Sequence, residues 1–463
     1  MPIFLSVLLL GLAVTPPPSH EPVPFAQAVD AAAKSAVSKK LTPGIAVAVV
    51  RDGKIIYERG FGVAGPSGRP VSPSTRFAIG SISKQFTATA VLLSARSHRL
   101  SLDDSLARYL PALPNAQVIT IRELLHQTSG LHNYPNPKEH HWPLSGAIAP
   151  AQLFSILQTD SSDFQPGTQF EYSNTNYAAL AEIVAKANDT SYAAYLTSHI
   201  FGPLAMTASG SGFAAERPDD AVPTDTDGVS WVKDADRTSL DLFYGAGSVI
   251  STAHDLALWN AALLGNSFLD SSMRTLLWEP GRLLDGAYTS YAMGFIPSGM
   301  NMHEEVWHNG YAPYAGGYSY SALFPNDRLG IVVLTNSGNE KVEGTSTTIV
   351  RDVLESYFSP KTVVDDPVAS AKIRALLVQL RSLHVDRDEL TPHFSQYLNL
   401  LKLLLAWPYF HGLGDPTALL LQERRPQGKD VFYRYRGTFT NGSTHAVLLW
   451  MAGDKVSGFA VPP

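Results

Sequence analysis

The sequence contains no cysteine among its 463 residues. This absence excludes disulfide bonds, thiolate metal sites, cysteine nucleophiles and a lipid-bearing N-terminal cysteine. Charge is also scarce, because charged residues make up 16% of the chain and the net charge is −6. We therefore expect no general attraction to nucleic acid or to anionic membranes. Hydrophobic residues make up 45% of the chain. A length of 463 residues predicts more than one globular domain.

The N-terminus carries an almost unbroken hydrophobic run, Ile3 to Val14. This run is too short to span a bilayer but has the length of a signal-peptide core. No lysine or arginine precedes it, no A-x-A site follows it, and Pro16 to Pro18 occupy the region of cleavage. We interpret residues 1–20 as a signal peptide and expect an exported protein, periplasmic or secreted, without an integral membrane span. A mis-chosen start or a membrane-associated tail are the alternatives.

Motifs for metals and cofactors are missing as well. The sequence has no HExxH motif, no cluster of carboxylates and no glycine-rich phosphate loop. His140 and His141 are adjacent, so on a strand they would face opposite sides. The Gly-x-Ser-x-Gly motif of α/β-hydrolases is also absent, because no glycine stands at position 83. We predict neither a metal nor a cofactor.

The distribution of strand-like and helix-like segments predicts an α+β fold. Gly44 to Gly62 reads as a hairpin with an Asp52-Gly53 turn, and Tyr318 to Asn336 reads as a second hairpin. Between these hairpins the patterns predict strands at Gly247–Thr252 and Tyr291–Ile296, and helices at 87–97, 121–126, 151–160, 174–187 and 192–200. We expect one antiparallel sheet flanked by helices, together with an all-helical lobe.

A domain boundary is predicted in the polar stretch SPKTVVDDP, Ser359 to Pro367. Residues 21–363 would form the main domain and residues 364–463 a small α+β domain. This tail is predicted to contain helices at 371–383 and 394–405 and strands at 431–435, 445–451 and 456–460. Its helix-then-strands order resembles small NTF2-like domains. Such a domain would either cap the active site or bury surface.

The stretch FAIGSISKQFTATAV, Phe77 to Val91, contains the first candidate for chemistry. Ser81 and Lys84 are three residues apart, so they share one face of a helix. A lysine amine whose pKa is lowered by burial or by a neighbouring cation can activate a serine hydroxyl, and a backbone N–H of the helix's first turn can bind an oxyanion. Ser81 could instead be a helix N-cap, and the pattern is loose, because Ser230 and Lys233 also match it.

Two further signals follow in chain order. Tyr172 and Asn174 lie where a short extended piece after a Pro166-Gly167 turn leads into a helix, whereas the Tyr-x-Asn triplets at 134 and 397 lie in a loop and in the tail. Tyr172 could be a structural tyrosine and Asn174 a helix cap. As a base, Tyr172 would need its pKa brought down from about 10, which a Lys84 cation could do.

The third signal is His308-Asn309-Gly310, the only His-x-Gly in the chain. Gly310 would allow close approach of the backbone to a substrate, and Tyr311 could donate its N–H opposite that of Ser81. The alternative is a glycine-rich edge strand with a solvated histidine.

Together the segments GSISK, YSN, HNG, HQTSGL, FGPLAM and GSVISTAHDLALW resemble the serine β-lactamase and penicillin-binding-protein superfamily, in its class C esterase and D-peptidase branch. The likeness covers roughly residues 43–358. It implies Ser81 as the acylated nucleophile, Lys84 as its activating partner and Tyr172 as the proton shuttle, with Asn174 as a hydrogen-bonding partner. It also implies Ser81 and Tyr311 as oxyanion donors, with His308 and Gly310 along the strand edge where substrate docks.

One departure from that family affects the expected substrate. Many β-lactamases and DD-peptidases have a lysine where His308 stands, and a neutral histidine would bind a substrate carboxylate less well. We therefore expect a serine hydrolase acting on an ester, amide or peptide of small size. A true β-lactamase or DD-carboxypeptidase is one alternative, and a non-catalytic penicillin-binding sensor is another. Deacylation would use Tyr172 and Lys84, since no counterpart of the class A acidic residue is found.

Overall fold

A six-stranded antiparallel sheet forms the centre of the larger of two units. The computed structural model describes residues 24–135, 145–233, 236–300, 303–312, 317–358, 365–427 and 430–461. The proposed signal peptide and His140-His141 therefore lie outside the described residues. The strands follow the order β2-β1-β9-β8-β7-β6, and their bounds are β1 Gly44–Arg51, β2 Lys54–Gly62, β6 Ile296–Met300, β7 His303–Ala312, β8 Gly317–Phe324 and β9 Leu329–Thr335.

A second, three-stranded sheet in the order β3-β5-β4 lies beside a group of helices. Its strands are β3 Arg76–Ala78, β4 Gly210–Ser211 and β5 Val249–Thr252. The helices of this larger unit are α1 Ala26–Ser38, α2 Ser83–Arg96, α3 Ile121–Leu125, α4 Pro150–Leu157, α5 Asn174–Ala187, α6 Tyr192–Leu196, α7 Ala253–Leu264, α8 Ser271–Trp278 and α9 Glu343–Tyr357. The predicted fold class, an antiparallel sheet flanked by helices with a helical lobe, is confirmed.

Side-chain alternation along β1 explains why helices cover both faces of the six-stranded sheet. Ile45, Val47 and Val49 pack with residues of α1 and α9, forming one core. Ala46, Ala48 and Val50 point to the opposite face and join the larger core around α2, α5 and α7. The hairpin predicted at Asp52-Gly53 is confirmed, since β1 and β2 pair around residues with positive φ of 51° and 76°.

Helix α2 lies in the middle of the larger unit. Every residue from Ser83 to Ser94 is buried, including Lys84, Gln85 and Thr87. A helix buried on all sides gives its first turn little freedom to move. This burial fixes the position of the candidate serine, which immediately precedes the helix.

One strand prediction in this unit is wrong. We predicted a strand from Tyr291 to Ile296, but the strand of this region runs from Ile296 to Met300. Residues 291–295 instead form a turn in which Ala292 N–H donates to Phe295 O. A short apolar run does not distinguish a buried turn from a strand, because both place successive apolar side chains in the core.

The C-terminal residues form their own α+β unit with a separate core. It comprises α10 Pro367–Ser382, α11 Pro392–Tyr397, α12 Leu400–Leu413 and an antiparallel sheet in the order β10-β11-β12-β13. The strands are β10 Pro416–Gln427, β11 Asp430–Phe439, β12 Thr444–Ala452 and β13 Lys455–Ala460. Leu376 and Leu377 of α10 pack on Tyr435 and Leu449 of the sheet. The exact domain boundary and the NTF2-like interpretation stay predictions.

Two buried carboxylates meet where the C-terminal unit contacts the larger one. Glu305 of β7 and Glu423 of β10 are 4% and 3% exposed. Ser298 Oγ donates to Glu305 Oε2 at 2.8 Å. Burial, reinforced by the negative charge of Glu423, raises the pKa of Glu305 from 4.5 to about 7. The junction therefore stabilises the protonated form of Glu305.

We expect Glu305→Gln to remove a pH-dependent part of the stability. The unfolded chain ionises near pH 4.5 and the folded one near 7, so the contribution is present below pH 4.5 and is lost as the pH rises through 7. The loss corresponds to about 3 kcal/mol. Urea unfolding at pH 4.5 and pH 8 should show a smaller difference between the two pH values in Glu305→Gln than in the wild type. The exposed neighbour Glu304 provides the control, and equal pH dependence in Glu305→Gln and Glu304→Gln would contradict the prediction.

Across the described ranges, no helix has both the length and the apolar character needed to cross a membrane.

Candidate active site

Ser81 sits in a tight turn between β3 and α2. The turn is one unit of 3₁₀ helix, Gly80–Ile82, and the α-helix proper begins at Ser83. Gly80 has φ of 51°, and a Cβ there would lie 3.1 Å from Gly310 Cα and 3.2 Å from Tyr311 N. Both the positive φ and the close approach require glycine. The turn therefore places Ser81 beside β7, and Ser81 precedes the α-helix instead of standing in its first turn.

Lys84 is fully buried and its amine has three partners. The Nζ atom lies 3.0 Å from Ser81 Oγ, 2.8 Å from Asn174 Oδ1 and 2.8 Å from the carbonyl oxygen of Ala246. Burial lowers the pKa of Lys84 well below its usual value of 10.5. Ser81 and Lys84 were predicted to share one face of a helix; the structure brings their side chains together, although Ser81 lies in the 3₁₀ turn and Lys84 in α2.

Tyr172 lies against the same pair. Its hydroxyl lies close enough to Ser81 for the serine to lower the phenol pKa, and Lys84 Nζ stands 4.7 Å from the centre of its ring. Burial raises the pKa of Tyr172 above 10. Our expectation that a Lys84 cation brings this pKa down is wrong, because burial disfavours the charged forms of both groups. Burial therefore favours the unprotonated amine of Lys84 and the protonated phenol of Tyr172.

Asn174 connects the lysine to a neighbouring loop. It is the first residue of α5, and its Oδ1 accepts from Lys84 while its Nδ2 donates to Tyr134 O at 2.9 Å. Its backbone N–H donates to Asn133 Oδ1 at 2.7 Å. Ser173, not Asn174, occupies the N-cap position. The Asn174 side chain is thus free of a capping role and orients the Lys84 amine.

Strand β7 closes the site on the side opposite α5. A Cβ at Gly310 would overlap the carbonyl oxygen of Ile79, which also accepts from Ser319 Oγ at 2.7 Å. Only glycine allows the strand to lie this close to the residues preceding Ser81. This contact brings the Tyr311 amide next to the turn that carries Ser81. β6 pairs only with residues 303–307 of β7, so residues 308–312 form a strand edge on that side, as the alternative of a glycine-rich edge strand expected.

His308 is buried within a group of aromatic side chains rather than solvated. It is 2% exposed, its Nδ1 lies 2.5 Å from Asn309 O, and Tyr291 Oη lies 3.1 Å from its Nε2. A carbonyl oxygen only accepts, so Nδ1 carries the hydrogen and Nε2 accepts from the Tyr291 hydroxyl. Burial, with a smaller contribution from Lys84, lowers the pKa of His308 to about 3. His308 is therefore a neutral imidazole at physiological pH.

Sequence reasoning missed two groups in this site. The carbonyl oxygen of Ala246 binds Lys84, and a main-chain acceptor leaves no mark in a sequence. The Tyr291 ring contacts those of Tyr172 and His308, with centroids 5.8 and 5.7 Å apart. The chain has 19 tyrosines, and Tyr291 stands in no motif, so its contribution depends on tertiary structure alone.

The described part of the chain contains no group of three His, Asp or Glu side chains that could hold a metal ion. The residues around Ser81 are amine, hydroxyl, amide and imidazole groups. Such a set is suited to proton transfer and nucleophilic attack.

This fold and this arrangement of serine, lysine and tyrosine define a member of the serine β-lactamase and penicillin-binding-protein superfamily. The chain belongs to the beta-lactamase family, whose model matches residues 28–355. Penicillin-binding protein 4* of Bacillus subtilis (strain 168) is 29% identical over 270 residues, which are 54% of this chain and 58% of that protein. The chain thus spans less than two thirds of the length of the first curated relatives that it matches.

Two solved structures share the fold. The D-amino acid amidase from Ochrobactrum anthropi SV3, complexed with L-phenylalanine amide, has a TM-score of 0.62 and 22% identity, covering 72% of this chain and 98% of the amidase. The octameric penicillin-binding protein homologue from Pyrococcus abyssi has a TM-score of 0.60 and 18% identity, covering 93% of this chain and 97% of that one. At these identities the likeness establishes the fold alone.

Proposed function

We propose that the protein is a serine hydrolase that forms an acyl-enzyme at Ser81 and releases it to water. The hydrogen bonds of the Lys84 amine carry this proposal. Asn174 Oδ1 and the Ala246 carbonyl only accept, so in the unprotonated form of the amine they take its two hydrogens. The remaining lone pair then faces Ser81 Oγ at 3.0 Å. This is the arrangement of a general base beside a nucleophile.

Acylation begins when Ser81 Oγ attacks the carbonyl carbon of the substrate. The hydroxyl proton passes to Lys84 Nζ, and the electron pair of the carbonyl double bond moves onto its oxygen. The backbone N–H groups of Ser81 and Tyr311 are the proposed donors to this oxyanion, and loss of one such donor typically costs ~3–4 kcal/mol. The lysine cation and the oxyanion form together, so no isolated charge develops in the buried site.

Collapse of the intermediate requires a proton for the leaving group. The neutral Tyr172 phenol, which lies beside Ser81, gives its proton to the departing alcohol or amine as the C–O or C–N bond breaks. The Lys84 ammonium then returns a proton to Tyr172. In deacylation water replaces the leaving group, and the same two residues act in the reverse order.

The charge state of the site favours an uncharged ester or amide as substrate. Burial lowers the pKa of Lys84 and so disfavours its cation, and His308 is neutral with a pKa near 3. Neither group offers a substrate carboxylate the fixed cation that a lysine at position 308 would offer. We therefore prefer an esterase or amidase to a β-lactamase or DD-carboxypeptidase. A D-amino acid amidase with the same fold supports the amide as an alternative to the ester.

Covalent labelling of the full chain tests the proposal. A fluorophosphonate probe should add one adduct per chain, and peptide mapping should place it on Ser81. Ser230 is an internal control, because it stands in the second Ser-x-x-Lys sequence but is exposed and donates to Asp227 Oδ2 at 2.5 Å. A mapped adduct at Ser230, or no adduct at all, would overturn the proposal. A lasting penicillin adduct without ester turnover would favour the sensor alternative.

A further inference from the structure

The C-terminal unit meets the larger one around a cavity of about 510 Å³. Asp285 and Tyr288 line it from the larger unit, and His393 and Trp450 line it from the C-terminal unit. His393 Nδ1 lies 2.6 Å from Asp285 Oδ2, with the two side chains 48% and 38% exposed. A histidine–aspartate contact thus joins the two units at the rim of this cavity.

Asp285 belongs to residues 281–291, called the 281–291 segment below. Within it, Arg282 and Tyr288 form an antiparallel bridge, and Leu283 N–H donates to Ala287 O at 2.8 Å. Its base is closed by the Gly281 amide, which donates to Tyr291 O at 2.9 Å. The segment is therefore a small hairpin with Asp285 near its tip and Tyr291 at its base.

This hairpin reaches the candidate active site at two places. At its base, the Tyr291 hydroxyl donates to His308 Nε2 at 3.1 Å and its ring packs on Tyr172. Near its tip, Leu284 N–H donates to Gly167 O at 2.9 Å. Gly167 begins the stretch that leads to Tyr172. A shift of the hairpin would therefore move both the partner of His308 and the backbone that carries Tyr172.

We propose that His393 is a positioning residue, through which the C-terminal unit holds the 281–291 segment and thereby the active site. Near the tip the Leu284 side chain is 79% exposed, and the hydrogen bond to Gly167 O and the contact with His393 connect the hairpin to its surroundings. Small displacements of groups that position a reaction have large effects on its rate. This inference rests on the proposed function, because it assigns the C-terminal unit a role in the same reaction.

The test compares kcat, KM and the thermal midpoint of the full chain in several variants. His393→Ala should lower kcat by about threefold to fivefold, the range expected when a partly exposed polar contact of this kind is lost. KM should stay nearly unchanged, because the pair does not touch substrate. His393→Lys places a donor opposite Asp285 and should restore kcat, a rescue that loss of packing alone would not give. The double variant Asp285→Ala/His393→Ala should lose no more than either single variant.

A second histidine–carboxylate pair in the chain gives the matched control. His254 Nδ1 lies 2.9 Å from Glu58 Oε2, with the side chains 45% and 37% exposed, but this pair lies outside the 281–291 segment. His254→Ala should therefore leave kcat unchanged. The inference is overturned if His393→Ala and His254→Ala behave alike, or if His393→Lys fails to restore kcat. Failure of the proposed function is distinguishable, because the wild type itself would then show no turnover dependent on Ser81.

Discussion

Replacing Ser81 by alanine should lower kcat/KM for a hydrolysed p-nitrophenyl ester by about 10⁴-fold or more. The substitution removes the proposed attacking group, the hydroxyl oxygen that lies 3.0 Å from Lys84 Nζ. The fold should survive, because the turn around Ser81 is held by Gly80, Gly310 and the buried α2 rather than by the hydroxyl. The measurement is steady-state hydrolysis by the variant and the wild type, with matching circular dichroism and unfolding midpoints.

Ser230→Ala is the control for this experiment. Ser230 has the same sequence spacing to Lys233 as Ser81 has to Lys84, but it is exposed. Its loss should leave turnover unchanged. If Ser81→Ala keeps wild-type turnover, the nucleophile is another group and the assignment of Ser81 is wrong.

The catalytic candidates could be predicted from the sequence because the residue types that such chemistry requires occur there in short, recognisable motifs. Ser81 with Lys84, Tyr172 with Asn174, and His308 with Gly310 occur in a fixed order, and the structure brings all three pairs together. Two glycines bring the pairs together, because Gly80 and Gly310 let the turn before α2 and strand β7 lie in direct backbone contact. The sequence shows that glycine stands at these positions, but it does not show which backbone each glycine contacts.

The charge state of the site could not be predicted in the same way. A pKa depends on how completely a group is removed from water, and burial is a property of the whole fold. From the sequence we expected that burial could lower the pKa of Lys84 and that a Lys84 cation could lower that of Tyr172. In the structure burial does lower the pKa of Lys84, but it raises that of Tyr172, so the proton stays on the phenol.

The C-terminal unit shows a second limit of sequence patterns. We predicted one helix from residue 394 to 405, whereas α11 ends at Tyr397 and α12 begins at Leu400. Strand β10 was missed altogether, because its sequence PTALLLQERRPQ begins with an apolar run and ends in charges. It is an edge strand of its sheet, and edge strands carry little of the alternation that identifies a half-buried strand.

Lys84→Met should lower the rate of acylation by about 10²- to 10⁴-fold, the usual contribution of a positioned general base. Methionine fills a similar volume in the buried site but has no proton acceptor of comparable strength. Asn174 Oδ1 and the Ala246 carbonyl would each lose a donor, which costs about 1–3 kcal/mol of stability per group. The measurement is the pre-steady-state burst with a p-nitrophenyl ester, and Lys233→Met is the control.

The pH dependence of the acylation rate shows whether Lys84 acts as a base or only as a structural residue. A base acts in its unprotonated form, so the wild-type acylation rate should rise with pH and level off above the pKa of Lys84. Burial lowers this pKa well below 10.5, so the plateau should be reached far below that pH. In Lys84→Met the rising limb should disappear along with most of the rate. If Lys84→Met is slow but its acylation rate still rises with pH as in the wild type, another group takes the Ser81 proton. Lys84 then only holds Asn174 in place.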